Sequence, residues 1–216
     1  MARKRVAILI SGRGSNMVAL IEAARAADYP ADIALVVSNR PDAPGLERAR
    51  ALGVQSLAID HKTFASREAF DDAMDAALRA EGVDLVCHAG FMRIQGDAFA
   101  RRWLGRQLNI HPSLLPLFKG LHPHQQALDA GVRISGCTVH FVTPELDSGP
   151  IVAQAAVPVL ANDTPESLAA RILTAEHRLY PAALRLVATG KARLEGSSVA
   201  LEATVNQPGC LYSPDA

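Results

Sequence analysis

Val6-Ala-Ile-Leu-Ile10 leads directly into Ser11-Gly-Arg-Gly-Ser-Asn16, and this junction indicates the fold class. An apolar run followed by two closely spaced glycines is typical of a buried strand that turns tightly into a helix. The free N–H groups at such a helix start favour a phosphate. The segment lacks the later glycine of a dinucleotide fingerprint and the Lys-Ser/Thr of a Walker loop, so a phosphate monoester fits better. An ordinary turn with a serine cap is the alternative.

The same alternation of apolar runs and alanine-rich stretches continues along the first half of the chain. It predicts strands at residues 6–10, 33–37 and 85–89, and helices at 17–27, 46–52 and 67–80. Such a rhythm is typical of an α/β domain with a doubly wound, mostly parallel sheet flanked by helices. Two more strands are predicted at 134–142 and 151–158. A long helix follows, which Asp163 or Thr164 caps and Pro165 begins.

Composition excludes several classes of protein. Apolar residues make up 49% of the 216 residues and charged residues 20%, which indicates a folded globular chain. Lysine plus arginine equals aspartate plus glutamate at 22 each, so nothing indicates binding to nucleic acid or to a membrane surface. No apolar run reaches the roughly 20 residues of a membrane span. Cys87, Cys137 and Cys210 lack CxxC spacing and predict reduced thiols, so we expect a cytoplasmic protein.

The run Asn109-Ile-His-Pro-Ser113 places a carboxamide and an imidazole two residues apart. If residues 107–111 form a strand, both side chains point to the same face. Asn109 can then donate a hydrogen bond to a developing oxyanion, and His111 can move a proton. Pro112 favours extended backbone at His111 and ends the strand, at the edge where open α/β sheets bind ligands. For His111 alone, a structural histidine at a strand end is the better explanation.

Two acidic residues extend this hypothesis. Asp147 lies on the turn at residues 143–150, and a carboxylate beside the ring would favour a charged imidazolium and hold its orientation. In isolation Asp147 is also a typical turn former. Glu176 falls at the edge of an apolar stripe formed by Leu168, Ile172, Ala175 and Leu179. A carboxylate there needs a partner, which is either a ligand amine or hydroxyl, or an internal arginine or lysine.

Other polar positions leave alternatives open. His122 and His124, together with His111 and His140, suggest a metal site. No HExxH motif or cysteine cluster supports such a site, so no metal is expected. The segment at residues 91–94 follows the third strand. It either lines a flat heteroaromatic pocket or packs on the core as an amphipathic loop.

Taken together, these motifs resemble the phosphoribosylglycinamide formyltransferase family. The Asn-x-His-Pro-Ser and Asp-x-Gly-Pro motifs mark the wider formyltransferase superfamily. The Ser-Gly-x-Gly-Ser-Asn loop narrows the resemblance to the members that act on glycinamide ribonucleotide. The resemblance covers roughly residues 5–190. The matching segments lie at residues 9–16, 45–50, 66–70, 89–94, 108–116, 120–128, 139–150 and 175–181.

The resemblance implies transfer of a formyl group from 10-formyltetrahydrofolate to the amine of glycinamide ribonucleotide, in purine biosynthesis and without a metal. It implies that the catalytic residues are Asn109, His111 and Asp147. The ribonucleotide and its phosphate would contact Gly14, Ser15, Asn16 and Glu176. The folate would be surrounded by Arg67, Met92, Arg93, Ile94, Gln95, Asn109, Pro144, Glu145, Leu146 and Asp147. A cis bond before Pro116 is also implied.

We therefore expect one formyltransferase domain over residues 1–216. Its nucleotide-binding half covers about 1–100, its folate-binding and catalytic half about 101–190, and its tail about 191–216, with a short hairpin from residue 194. The partners would be small-molecule substrates, with no nucleic acid and no membrane, and the protein a monomer or a homodimer. The sequence departs from the family pattern at Arg13, Gln95 and Pro144. These departures affect the expected details of the pocket and not the expected reaction.

Three other functions are compatible with parts of the sequence. A methionyl-tRNA formyltransferase would need a further C-terminal domain, and a formyltetrahydrofolate deformylase commonly carries an N-terminal regulatory domain. A non-catalytic nucleotide-binding module would explain the glycine loop but not Asn109, His111 and Asp147 together. A metal-dependent hydrolase would need a metal that chelators remove.

Overall fold

A seven-stranded sheet organises the molecule, in a computed structural model that describes residues 2–202 and residue 213. Its strand order is β3-β2-β1-β4-β5-β6-β7, with β1 to β5 parallel and with β6 and β7 antiparallel to their neighbours. Because the chain leaves β1 toward β2 and returns on its other side at β4, a crevice opens there at the carboxyl edge. The strands are β1 (Lys4–Ile10), β2 (Ala31–Ser38), β3 (Ser56–Ala58), β4 (Leu85–His88), β5 (Gln107–His111), β6 (Ile134–Phe141) and β7 (Ile151–Pro158).

Helices cover both faces of the sheet. On one face Val6, Ile8 and Ile10 of β1 pack in a core with α1, α2 and α6, and on the other Ala7 and Leu9 pack with α3 and α4. Burial on both faces explains why the strand sequences are continuously apolar. The predicted α/β fold class is therefore confirmed. The helices are α1 (Ser15–Ala24), α2 (Pro44–Ala51), α3 (Arg67–Ala80), α4 (Asp97–Arg102), α5 (Pro123–Asp129) and α6 (Pro165–Ala188).

The predicted element bounds hold best where the pattern is strong. The bounds of α3, β5 and β7 agree with the prediction, whereas α1 begins two residues early and ends at Ala24. Gly14 caps α1 in a left-handed conformation (φ 69°), so the alternative of a serine cap is wrong. The prediction missed β3, α4 and α5, which have three, six and seven residues and offer little periodicity.

Helix α6 ties the two halves of the sheet together. Thr164 caps it in a reciprocal capping box with Ser167, as one of the two predicted alternatives. Its buried stripe continues beyond the predicted residues to Tyr180, whose hydroxyl lies 3.0 Å from the carbonyl oxygens of both His88 and Leu108. The hydroxyl thereby anchors α6 to β4 and β5, the two strands whose ends form the site described below.

Two further features agree with the sequence analysis, and one prediction cannot be compared. The peptide bond between Leu115 and Pro116 is cis. Strands β8 (Ala192–Glu195) and β9 (Ser198–Leu201) form the short hairpin. The prediction for Cys210 falls outside the described residues. Within residues 2–202, no helix combines the length and the apolar character needed to cross a membrane.

Candidate active site

A cavity of about 890 Å³ opens at the carboxyl ends of β4 and β5. It brings together most of the residues predicted to form the site, although they come from distant parts of the sequence. Gly14 and Ser15 lie beside it at the start of α1, and Arg67 is exposed at the start of α3. The predicted residues that line the cavity are Asn16, Met92, Arg93, Ile94, Gln95, Asn109, His111, Pro144, Glu145, Leu146, Asp147 and Glu176.

Strand pairing positions Asn109 against a histidine that the sequence analysis had considered only as a metal ligand. Asn109 of β5 lies opposite His140 of β6, with 3.2 Å between Asn109 Nδ2 and His140 Nε2. His140 Nδ1 lies 2.9 Å from the Phe141 carbonyl, which can only accept, so Nδ1 carries the proton of the neutral ring. Burial lowers the pKa of His140 and so favours this neutral form. Asn109 therefore donates one N–H to His140, which leaves its other N–H for a ligand.

His111 lies two residues along the same strand and faces the turn that carries Asp147. His111 Nδ1 lies 3.4 Å from Asp147 Oδ2, and both side chains are buried. The other ring nitrogen, Nε2, lies 2.9 Å from the Phe118 carbonyl and so donates to it. The carboxylate thus faces one nitrogen of the ring, and a backbone oxygen holds the other.

Two loops meet over the cavity through Asp147. The Gly120 N–H donates to Asp147 Oδ2 at 3.0 Å, and Lys119 Nζ donates to Ser148 Oγ at 2.6 Å. Phe118 (φ 56°) and Asp147 (φ 48°) both adopt the left-handed backbone conformation that favours glycine. Such strained residues cluster at functional sites, where the surrounding contacts hold them in place. The loops are therefore fixed to each other by the same carboxylate that faces His111.

Glu176 is buried, as its unusual position suggested, but its protein partner is not the arginine or lysine considered above. Asn16 Nδ2 on α1 donates to Glu176 Oε2 at 2.7 Å. Burial raises the pKa of Glu176 to about 6. Asn16 Oδ1 has no hydrogen-bond partner among the described residues. This end of the cavity therefore presents acceptor oxygens.

The loop at residues 11–16 packs tightly against α2 beside the end of the cavity that holds Asn16 and Glu176. A Cβ at Gly14 would lie 3.1 Å from Met17 Cε, and one at Gly45 would lie 2.5 Å from Ile10 Cδ1. Ser15 lines a second groove of about 510 Å³ between α1 and α6, together with His177 and Arg178. These two basic side chains were not among the predicted site residues. Their position directly after Glu176 on α6 was the available signal.

The histidines considered as metal ligands are spread over several elements. His122 lines the cavity at the start of α5, whereas His124 is half-buried on that helix. Burial lowers the pKa of His124. Over residues 2–202, no group of three or more His, Cys, Asp or Glu side chains is arranged to hold a metal ion.

Comparison with known proteins identifies the family of the chain. The formyl transferase family matches residues 4–184, and the chain belongs to that family. Within the family it belongs with the phosphoribosylglycinamide formyltransferases. The Escherichia coli (strain K12) protein of that name is 43% identical over 197 residues, which cover 91% of this chain and 93% of the relative.

Solved structures show the same fold along most of the chain. Glycinamide ribonucleotide transformylase 1 from Symbiobacterium toebii has a TM-score of 0.89 and 51% identity, covering 91% of this chain and 93% of that one. Phosphoribosylglycinamide formyltransferase from Brucella melitensis has a TM-score of 0.84 and 57% identity, covering 87% and 97%.

A second group of relatives is much longer. The trifunctional purine biosynthetic protein adenosine-3 of Bos taurus is 50% identical over 192 residues, which are 89% of this chain but 19% of the relative. The chain spans about a fifth or less of the length of these trifunctional relatives.

The raised pKa of Glu176 predicts a pH-dependent stability. The carboxyl has a pKa of 4.5 ordinarily and about 6 in the folded chain, so the folded state binds this proton more tightly. Its contribution is fully present below pH 4.5 and is lost as the pH rises through 6. Glu176→Gln keeps an acceptor for Asn16 and removes the titration. At pH 8 we expect the free energy of unfolding of the variant to exceed that of the parent by about 2 kcal/mol.

Urea unfolding of the ligand-free protein between pH 4 and pH 8 measures this difference, which should vanish near pH 4. Glu22→Gln, at an exposed position of α1, is the matched control and should follow the parent. A constant offset between Glu176→Gln and the parent at every pH would contradict the assignment.

Proposed function

We propose that the chain transfers the formyl group of 10-formyltetrahydrofolate to the amine of glycinamide ribonucleotide, in purine biosynthesis. One observation carries the proposal: Asn109, His111 and Asp147 share a single cavity with Asn16 and Glu176 and with the segment at residues 92–95. Oxyanion donors and a proton carrier therefore lie where two different ligands can approach each other.

The ribonucleotide is proposed to bind at the start of α1. The unpaired N–H groups and the positive end of the helix favour its phosphate at Gly14, Ser15 and Asn16. His177 and Arg178, in the groove that Ser15 lines, add basic side chains beside that position. Asn16 then connects the two parts of the ligand, since its side chain reaches Glu176 inside the cavity.

The folate is proposed to bind against the segment at residues 92–95 and the turn at residues 144–147. Met92, Ile94 and Leu146 line the cavity and are more than half exposed, at 67%, 55% and 52%. Apolar side chains left open at a cavity suit a flat aromatic ligand. Arg93 lines the same cavity and Arg67 is exposed at the start of α3. Both guanidinium groups suit the carboxylates of the folate tail.

The residues have distinct roles in the proposed transfer. The neutral amine attacks the formyl carbon, and the carbonyl electrons move to the oxygen. The uncommitted N–H of Asn109 and the protonated ring of His111 donate to that oxyanion. Asp147 orients His111 through its ring Nδ1. As the carbonyl re-forms, the bond from the formyl carbon to the folate nitrogen breaks, and the proton that the amine loses reaches that nitrogen through water beside Asp147.

One contact of His111 has to change for these reaction steps to occur. His111 Nε2 donates to the Phe118 carbonyl, so it has to exchange that oxygen for the oxyanion. His111 Nδ1 keeps its carboxylate during the exchange because Asp147 lies on the other side of the ring. Pairing with Asp147 therefore sets which of the two ring nitrogens donates to the oxyanion.

A direct assay tests the proposal. We expect tetrahydrofolate to appear when 10-formyltetrahydrofolate and glycinamide ribonucleotide are mixed with the protein, in equal amount to the formylated ribonucleotide. Chelators should not change the rate. Release of formate without use of the ribonucleotide would instead indicate a deformylase. A monomer or homodimer, and a cytoplasmic location, remain predictions of the sequence.

Removal of either oxyanion donor should slow turnover strongly. We expect Asn109→Ala and His111→Ala to lower kcat by about a hundred- to a thousandfold at saturating substrates, since each removes a donor aimed at developing charge. Gln125→Ala, an exposed position on α5, is the control and should retain the parent rate. Near-normal kcat in a folded variant would remove that residue from the mechanism.

His140 should act only through Asn109. We expect His140→Leu to lower kcat by roughly tenfold, because the Asn109 amide loses the partner that orients it. In a double-mutant cycle, His140→Leu should cost little further in the Asn109→Ala background. Independent, multiplicative effects on kcat would show that His140 contributes separately from Asn109.

A further inference from the structure

The steps of the proposed transfer give no role to the side chains of a buried polar cluster at the cavity. His88 ends β4, Gln107 begins β5, and Gln95 belongs to the segment between them. Their side chains are 6%, 0% and 8% exposed. His88 and Gln95 line the cavity, whereas Gln107 does not.

Hydrogen bonding in this cluster is incomplete. His88 Nε2 lies 3.0 Å from Gln107 Oε1 and 3.5 Å from Gln95 Nε2. Burial lowers the pKa of His88 to about 4, so the ring is neutral near pH 7 and Nε2 either donates or accepts. The shorter contact makes Nε2 a donor to Gln107, and the amide nitrogen of Gln95 then faces an N–H. Gln95 Oε1 has no partner among the described residues.

Gln95 is nevertheless held in place. The next residue, Gly96, donates its N–H to Asp71 Oδ2 of α3 at 2.7 Å. A Cβ at Gly96 would lie 3.1 Å from the same oxygen, which shows how closely the backbone approaches α3. The carboxamide of Gln95 is therefore an uncommitted donor and acceptor at a fixed position in the cavity wall.

A carboxamide of this kind matches one class of ligand. Its donor and acceptor lie side by side, as they do along the edge of a nitrogen heterocycle, which glutamine can bind with paired hydrogen bonds. Of the two ends of a folate, the ring is uncharged and suits a buried wall. The glutamate tail carries carboxylates and suits the open side of the cavity.

We propose that Gln95 is a specificity-determining residue that hydrogen-bonds the heterocyclic ring of the formyl folate. This inference rests on the proposed function, since it takes the folate as the ligand. A site that leaves a buried carboxamide unpaired without the ring discriminates against ligands that cannot pair with it. The same group destabilises the ligand-free protein, because its polar atoms are removed from water without compensation.

Gln95→Leu separates these two effects. We expect its KM for 10-formyltetrahydrofolate to rise about tenfold, with KM for glycinamide ribonucleotide within twofold of the parent. The urea midpoint of the ligand-free variant should equal or exceed that of the parent. A purely structural role would lower the midpoint, or would change both KM values together.

Gln107→Leu is the matched control. It makes the same chemical change in the same cluster, but at a residue outside the cavity wall, so KM for the folate should stay within about threefold. Inhibition by 4-aminobenzoylglutamate, a folate tail without the ring, should be equal in the parent and in Gln95→Leu. An equal rise of KM in both variants, or weaker inhibition by the tail in Gln95→Leu, would overturn a direct contact with the ring.

Equilibrium binding of tetrahydrofolate distinguishes failure of this inference from failure of the proposed function. Transfer by the parent with unchanged tetrahydrofolate affinity in Gln95→Leu would overturn the inference alone. Absence of transfer, together with about tenfold weaker tetrahydrofolate binding by Gln95→Leu, would overturn the proposed function and support the contact. A parent that does not bind tetrahydrofolate would overturn both.

Discussion

The buried carboxylate of Asp147 is the interaction on which the rest of the site depends. It is 8% exposed, yet it faces the imidazole rings of both His111 and His140 and accepts the Gly120 N–H. A carboxylate removed from water is costly unless donors surround it. The positions of β5 and of two loops are therefore set by the need to satisfy one charged group.

That constraint explains how the two histidines acquire different properties. His140 donates through Nδ1 to the Phe141 carbonyl and accepts from Asn109, which commits both of its ring nitrogens while the ring is neutral. His111 has Asp147 at one nitrogen and a loop carbonyl at the other, which suits a ring that carries two protons. His140 pairs with Asn109, two residues from His111 along β5. In the proposed transfer, one histidine therefore orients an amide and the other donates to the oxyanion.

The sequence predicted the sheet well because burial on both faces leaves a strong apolar signal in β1, β2 and β4. It predicted Asn109 and His111 because strand periodicity and a following proline are local features. Three things were not local. The partner of Glu176 is Asn16, which lies 160 positions earlier in the sequence. The contact of His140 with Asn109 depends on how β5 and β6 pair. The oxygen that accepts from His111 belongs to the backbone of Phe118, and sequence patterns do not report backbone contacts. Short elements such as β3 and α4 were missed because three to six residues are too few to show a periodic pattern.

The contact between Asn16 and Glu176 joins the first helix of the fold to the last. During synthesis from the amino terminus, β5 and its proposed catalytic residues emerge long before α6 does. A nascent chain that ends before residue 165 therefore holds Asn109 and His111 but has neither Glu176 nor the Tyr180 hydroxyl that ties β4 to β5. Since pairing across such a sequence separation comes late in folding, the ribonucleotide end of the cavity is completed last. Asn109 and His111 are therefore present long before the cavity is complete, because its Glu176 end forms only after α6 has been synthesised.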